Sequence, residues 1–167
     1  MLPVTQRVWA PCRQRPIAPV RRRSQWLSVY GVVRPRTGQT WWALLPAVSA
    51  EAFSLARREF ARDEGIGRLR RAVLVLDQAG WHTAKPLPVP EGIHLAFLPP
   101  YAPEVQPAER LWGLVDAPVA NRSFADLDDL EGVLAERCRA LERQRSRLKP
   151  LTHYPWWPHE RRPSKRE

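Results

Sequence analysis

Two carboxylates in this chain are placed to do chemistry. Asp77 closes an apolar run at residues 72–76 (AVLVL), and Glu109 follows a second apolar run at residues 94–98 (HLAFL) and a proline-rich turn. Acids delivered from separate elements onto one rim of a sheet suit a divalent-metal site, because hard ions such as Mg2+ take oxygen ligands, chiefly from Asp and Glu. Two such ions about 3.5–4 Å apart can activate a water, stabilise a five-coordinate phosphorus and hold the leaving oxygen in phosphodiester cleavage. A pair of doubly charged ions calls for three or more carboxylates, and Asp77 and Glu109 supply two. Each has a plainer reading as well. An Asp after a strand forms turns, and a Glu in the first turn of a helix complements its dipole. Glu104 competes for the second position. His82 either orients a ligand or is a satisfied turn histidine. Spacing by itself leaves these alternatives open.

The elements that must position the acids are visible as patterns. Residues 72–76 are apolar at consecutive positions, which predicts a parallel strand buried on both faces. Asp77 then stands at its carboxyl end, where open α/β sheets bind ligands. Residues 78–83 (QAGWHT) read as a turn or a short helix start, followed by an irregular, proline-rich connection to Pro90. Residues 99–103 (PPYAP) make a rigid turn. Pro107 suits the first position of a helix, with Glu109 in its first turn and Leu111, Trp112 and Val115 behind it.

Upstream, residues 26–33 (WLSVYGVV) and 40–48 (TWWALLPAV) form an antiparallel hairpin about the turn 34–38 (RPRTG). Pro46 marks a sheet edge or the strand's end. Ser49 is an N-cap, with Glu51 in the first turn and Ala52, Phe53, Ala56 and Phe60 at helical spacing. The glycines at 65 and 67 end that helix. Ser123 starts a last helix with Asp126 as a capping-box variant, and Leu127, Leu130, Leu134, Cys138 and Leu141 form its apolar stripe. Its far end carries Arg137, Arg139, Arg143, Arg145, Arg147 and Lys149. The expected organisation is one domain over residues 1–158, with a basic, proline-rich arm at 1–25 and an α/β core at 26–158. A polar, disordered tail occupies 159–167.

The charge balance is 27 Lys+Arg against 17 Asp+Glu, a net +10, and nearly all of the positive charge is Arg. The planar guanidinium matches phosphate oxygens, so nucleic acid is the expected partner. Arg21, Arg22 and Arg23 in the arm, with Arg143, Arg145, Arg147 and Lys149 near the far end, are the candidate contacts. The plainer readings are a solvated edge for the first group and dipole-complementing cations for the second. Cys12 and Cys138 have neither disulfide-framework nor zinc spacing, which fits a reducing cytoplasm. No run approaches the ~18 apolar residues of a membrane span. No Gly-rich fingerprint follows a strand, which excludes a dinucleotide-binding reading.

The segments 76–82 (LDQAGWH) and 98–112 (LPPYAPEVQPAERLW) resemble the second and third acidic motifs of the DDE transposases of the mariner-like superfamily, in its bacterial insertion-sequence branch. Pro107, Glu109 and Trp112 reproduce its Pro-x-Glu-x-x-Trp frame. The resemblance extends to the arm at 7–16, the strand WLSVYG, the helix at Ser49 and the segment NRSFADLDDLE. It implies a ribonuclease-H-like α/β fold: a mixed sheet flanked by helices. It also implies metal-dependent DNA strand cleavage at transposon ends, then strand transfer into target DNA by the freed 3′-hydroxyl. Asp77 would be the second metal-binding acid and Glu109 the third, choosing Glu109 over Glu104. Mg2+ would be the metal, with Mn2+ substituting. Gln78 and His82 would lie around the ligands, with Gln78 in place of the commoner Asn and Ala102 in place of the commoner Ser. The working form would be DNA-bound in the bacterial cytoplasm, with a homodimer as one form of it.

The family's first acid lies on its first strand, shortly before the RVWAP arm. Here Met1 stands a few residues ahead of Arg7, and Glu51, Glu59, Asp63 and Glu64, the acids ahead of Asp77, do not match that motif. The expectation is therefore a ribonuclease-H-like sheet lacking its first, central strand, inactive alone and completed by an upstream-encoded segment. Two unpaired edges facing a gap would make the lone chain marginally stable or aggregation-prone. The alternative expectation is a non-enzymatic, basic DNA-binding remnant of a transposase.

Overall fold

The structure, a computed structural model, describes residues 6–14, 16–17, 26–78, 88–100 and 102–155. Strands β1 (Ser28–Arg34) and β2 (Gln39–Leu45) pair antiparallel, with Gly31 opposite Trp42 and Val32 opposite Trp41. Their turn closes through Gly38 N–H donating to Arg34 O at 2.9 Å. Gly38 has φ +73°, a conformation that glycine adopts without steric penalty. Strand side chains alternate between faces, and the hairpin uses both. Val29, Val33, Trp42 and Leu44 pack on one core, whereas Val32 and Trp41 pack on another.

The first core is helical. Helices α2 (Glu109–Asp116), α3 (Leu127–Glu142) and α4 (Arg145–Thr152) bring Leu111, Val115, Leu130, Leu134, Leu141 and Leu148 together against the hairpin. The second core joins helix α1 (Ala50–Asp63) to strands β3 (Ala72–Leu76) and β4 (Ile93–Phe97) through Phe60, Ala61, Leu74 and Ile93. β3 and β4 pair in parallel, with Leu74 opposite Leu95. Ser49 caps α1 as its sequence indicates, accepting from Ala52 N–H at 3.0 Å.

Several expectations need correction. The basic far end does not belong to one last helix. α3 tightens at its end, with Gln144 N–H donating to Leu141 O at 2.9 Å, and the chain turns at Gln144 before α4 begins. That turn lets Leu141 and Leu148, both 0% exposed, enter the same core. The N-cap of α3 is Asp126, which accepts from Asp129 N–H at 2.9 Å, so Ser123 lies ahead of the helix. Pro107 precedes α2 by two residues, in a turn whose bonds run Glu109 N–H to Gln106 O and Leu111 N–H to Ala108 O. β3 is parallel as expected, yet it is not buried on both faces: Leu74 and Leu76 are buried and Val73 is 64% exposed.

Among the described residues the strands form two separate two-stranded sheets, β1–β2 and β3–β4. With four helices this is a mixed α/β arrangement consistent with a ribonuclease-H-like fold that lacks a full sheet. β1 and β3 face each other across a slot. Residues of both strands line two cavities of ≈ 350 and ≈ 270 Å³. Residues 31–34 border the first with residues 70–76, and residues 28–32 border the second with Leu74, Leu76 and Asp77, so β1 runs antiparallel to β3 across the slot.

Gly38 and Gly65 both have positive φ, but a Cβ at Gly38 would meet the backbone of Arg145 and Lys149, whereas one at Gly65 meets nothing within 4 Å. Gly65→Ala should cost about 1–2 kcal/mol from left-handed strain alone. Gly38→Ala should lower the thermal midpoint clearly further, because α4 must also move. Equal midpoints for the two variants would contradict the packing of α4 on the hairpin turn.

Candidate metal centre

Asp77 leaves the carboxyl end of β3 half-buried, and Glu109 opens α2 as an exposed residue. Both border the ≈ 270 Å³ cavity, together with Tyr30, Phe53, Arg57 and Gln106. Glu104 is exposed on the preceding 3-10 turn (Pro103–Val105) and does not border that cavity.

Each acid is positioned by its neighbours. Gln78 Nε2 donates to Leu98 O at 3.0 Å, and Leu98 N–H donates to Leu76 O at 2.8 Å. These two bonds continue the β3–β4 pairing past its last ladder pair and fix the strand ends around Asp77. Glu109 Oε1 accepts from Trp112 Nε1 at 3.3 Å, one helical turn on. Trp112 in turn rests edge-on against Trp42, ring centres 6.2 Å apart. The indole that steadies Glu109 is therefore anchored in the helical core. The N-terminus of α2 adds a favourable field for its negative charge.

The donor chemistry fits a hard cation, since both groups are carboxylates. Their number falls short of a two-ion site. Among the described residues no group of three or more His, Cys, Asp or Glu gathers that could hold a metal. Glu64 borders the neighbouring cavity, but its oxygens are engaged by Arg70 at 3.1 Å and by Gln39 Nε2 at 2.8 Å.

Of the other candidates, His82, Arg21, Arg22 and Arg23 lie outside the described residues. Arg143, Arg145, Arg147 and Lys149 lie at the α3–α4 corner, and none is ion-paired among the described residues. They border neither cavity. The corner instead abuts the hairpin turn, with Arg145 and Lys149 backbone against Gly38. Arg137, by contrast, is structural: its Nε donates to Leu114 O at 2.7 Å and ties α3 to α2.

Two residues at the site escape sequence reasoning. Arg57 is 5% exposed, with its guanidinium carbon 4.6 Å above the Phe53 ring and its Nε without a hydrogen-bond partner. Gln106 Oε1 is likewise buried and unpartnered. Arg57 is detectable in principle, since it lies four residues after Phe53 and three before Phe60, on the buried stripe of α1. Gln106 carries no signal beyond preceding Pro107.

This chain belongs to the DDE superfamily endonuclease family, which it matches over residues 2–131. It is also similar to a Sinorhizobium fredii (strain NBRC 101917 / NGR234) protein named "Uncharacterized protein y4pE/y4sA". The two are 42% identical over 106 residues, 63% of this chain and 77% of that protein. No solved structure matches the chain. The family defines a transposase-type nuclease domain, a class that uses divalent metal ions and acts on DNA. No helix among the described residues is long and apolar enough to cross a membrane.

Among the described residues neither cysteine borders this cavity. Cys138 is buried in α3, and burial pushes its thiol up to about 11. Cys12 is exposed. At pH 8 the folded chain should therefore release one equivalent of thionitrobenzoate from Ellman's reagent rapidly, and a second only after unfolding in guanidinium. Two rapid equivalents in the folded chain would contradict the burial of Cys138.

Proposed function

We propose that this chain carries the second and third metal-binding acids of a mariner-like transposase of the bacterial insertion-sequence branch, cutting transposon ends and joining them to target DNA. The observation behind this reading is that Asp77 and Glu109 border one cavity in a chain of the DDE superfamily endonuclease family. Asp77 and Glu109 would hold Mg2+, or Mn2+ in its place. A bound ion of this kind polarises a phosphoryl oxygen and lowers the pKa of its water. The chain's own residues set the stage: Trp112 orients Glu109, and Gln78 with Leu98 fixes the strand end that carries Asp77. The cations at 143, 145, 147 and 149 grip phosphates away from the scissile one, with the Arg21–Arg23 triplet as a second grip. The working form acts on DNA in the cytoplasm, with a homodimer as one form of it.

A third acid arrives on an extended segment, encoded upstream, that takes the place between β1 and β3. Alone, the chain is inactive and marginally stable. A second reading, a DNA-binding remnant without activity, is favoured by the count of two acids at the cavity among the described residues.

One experiment separates the two. Incubate the chain with end DNA of its element and Mg2+ or Mn2+, with and without the upstream-encoded segment. Nicking should appear only in the mixture. Asp77→Ala and Glu109→Ala should each reduce it to background while end binding persists. Trp112→Phe keeps the ring but loses the donor to Glu109, and should weaken metal activation about tenfold. Absence of nicking in both incubations would discard the enzyme reading in favour of the remnant.

DNA binding offers an independent test. Replacing Arg143, Arg145, Arg147 and Lys149 by Ala should flatten the salt dependence of binding, by about 0.9 in log–log slope for each phosphate that is no longer neutralised. An unchanged slope would remove these residues from the DNA interface.

A further inference from the structure

Glu109 is followed by a cation that the fold holds in place without neutralising it. Arg110 is exposed on the first turn of α2. Its Nε donates to the Tyr154 hydroxyl at 3.1 Å, and its guanidinium carbon lies 5.4 Å from the centre of the Tyr154 ring. Tyr154 follows α4 closely, and the core fixes the end of that helix. Thr152 is 0% exposed and its hydroxyl donates to Leu148 O at 3.0 Å, while His153 N–H donates to Lys149 O at 2.9 Å. The oxygen that meets Arg110 is therefore delivered from a fixed point of the chain, and the bond joins α2 to that point across 44 residues.

Other arginines spend their donors inside the chain. Arg62 meets Glu59 and Asp63, Arg70 meets Glu64, and Arg137 donates to Leu114 O. Arg110 meets a neutral oxygen, and through Nε alone. Among the described residues no carboxylate pairs with it and its terminal nitrogens have no acceptor. Its neighbour Glu109 is engaged by Trp112 Nε1 instead. The position also works against a cation, because the N-terminal field of α2 favours negative charge. The fold thus keeps an uncompensated guanidinium, oriented at one edge and open to solvent at its fork, where local electrostatics would not place it. Such a fork fits an anion with paired oxygens, and phosphate is the match in shape and charge.

Arg110 borders neither cavity, so the group it binds lies beside the acids' cavity rather than in it. Its Cα is about 3.8 Å from that of Glu109, and its side chain leads away from the cavity to Tyr154. We propose that Arg110, oriented by Tyr154, binds the DNA backbone phosphate next to the one that Asp77 and Glu109 act on. This rests on the reading above that those acids act on DNA, and it adds the residue that places the neighbouring phosphate. The cations of the α3–α4 corner grip the duplex farther off, whereas Arg110 works within a nucleotide or so of the acids, about 3.4 Å along one strand.

The test uses the full chain and fluorescent duplexes of the element's end sequence, in which one phosphate at a time is replaced by an uncharged methylphosphonate. Binding is read by anisotropy in EDTA, so that no cutting intervenes. At one position the replacement should weaken the unaltered chain about tenfold, as expected for a lost charge-assisted bond, and leave Arg110→Gln unaffected. At every other position the two chains should respond alike. Arg110→Gln should also lower the log–log salt slope by about 0.9. Arg110→Lys keeps the charge without the fork, so it should retain the slope and bind several-fold more weakly. Tyr154→Phe keeps the ring without the acceptor, and should weaken the response at that same phosphate with the slope unchanged. Circular dichroism of each variant checks that it folds. Methylphosphonates that affect the unaltered chain and Arg110→Gln alike at all positions would make Arg110 a mere tether and overturn the proposal, whatever the nicking assay gives. A coupled phosphate more than about two nucleotides, roughly 7 Å along the strand, from the nick would overturn its placement beside the acids. Coupling at one phosphate in a chain that never nicks DNA would support Arg110 as a phosphate contact and remove only the enzyme reading. A changed oligomeric state in Arg110→Gln, with DNA binding unaltered, would overturn the proposal in favour of a protein contact.

Discussion

A strand edge inside a protein must hydrogen-bond its peptide groups, and β1 and β3 turn two such edges toward one shared slot. The rest of the structure is arranged around that fact. The hairpin is held on one side by the helical core of α2, α3 and α4, and β3–β4 is held by α1. The two halves meet through α1, whose Phe60 touches Trp41 edge-on at 5.5 Å, and through the turn at Gln106–Ala108. The acids are divided between these halves. Asp77 belongs to β3, and Glu109 belongs to the helical core through Trp112 and Trp42. Their separation therefore follows the spacing of the two halves across the slot, and any metal they held together would take its geometry from that spacing.

The slot is polarised along its length. Arg34, Arg70 and Arg71 border one end, and Asp77 and Glu109 border the other. Arg70 is quenched by Glu64, but the net sense is clear: positive at the start of β3, negative at its end. Arg57 is the exception, a buried cation at the acidic end. Its positive charge offsets part of the repulsion between two carboxylates beside one cavity. A cation entering that end would face its repulsion.

Much of this is readable from the sequence, and the failures have physical causes. The parallel strand ending in Asp77 matches its apolar run residue for residue, because nothing in AVLVL competes with a strand. The Ser49 cap and the Phe53–Phe60 stripe are legible for the same reason: local chemistry and burial agree there. The break at Gln144 is not legible. Residues 143–149 are good helix formers apart from Ser146, and it is the demand that Leu148 reach the core that bends the chain. Composition points to burial of β3 on both faces, but Val73 lies exposed, since burial there depends on partners that a sequence pattern does not count. Arg57 is hard to read because a charged residue on an apolar stripe looks like an interruption, when its aliphatic stem and ring contact allow it to stay.

The placement of the basic corner bears on how the site would be used. Arg145 and Lys149 flank the hairpin turn, while Asp77 and Glu109 lie with Ser28 at the other end of β1. Seven residues of strand separate the two ends, roughly 20 Å at about 3.4 Å per residue. On duplex DNA with one base pair per about 3.4 Å, that is some six base pairs. Cations so far from the acids cannot stabilise charge at the reacting phosphorus, where the field of a surface guanidinium is screened within about 10 Å. If the chain acts on DNA as proposed, their contribution would be to register: they would fix where along the duplex the chain sits, so that one phosphate falls at the cavity mouth. Binding and cutting would then fall at opposite ends of one hairpin, and the pairing of β1 with β2 is what would hold those ends in register. Among the described residues β1 is paired on one side only, so both ends of that hairpin depend on the same single ladder.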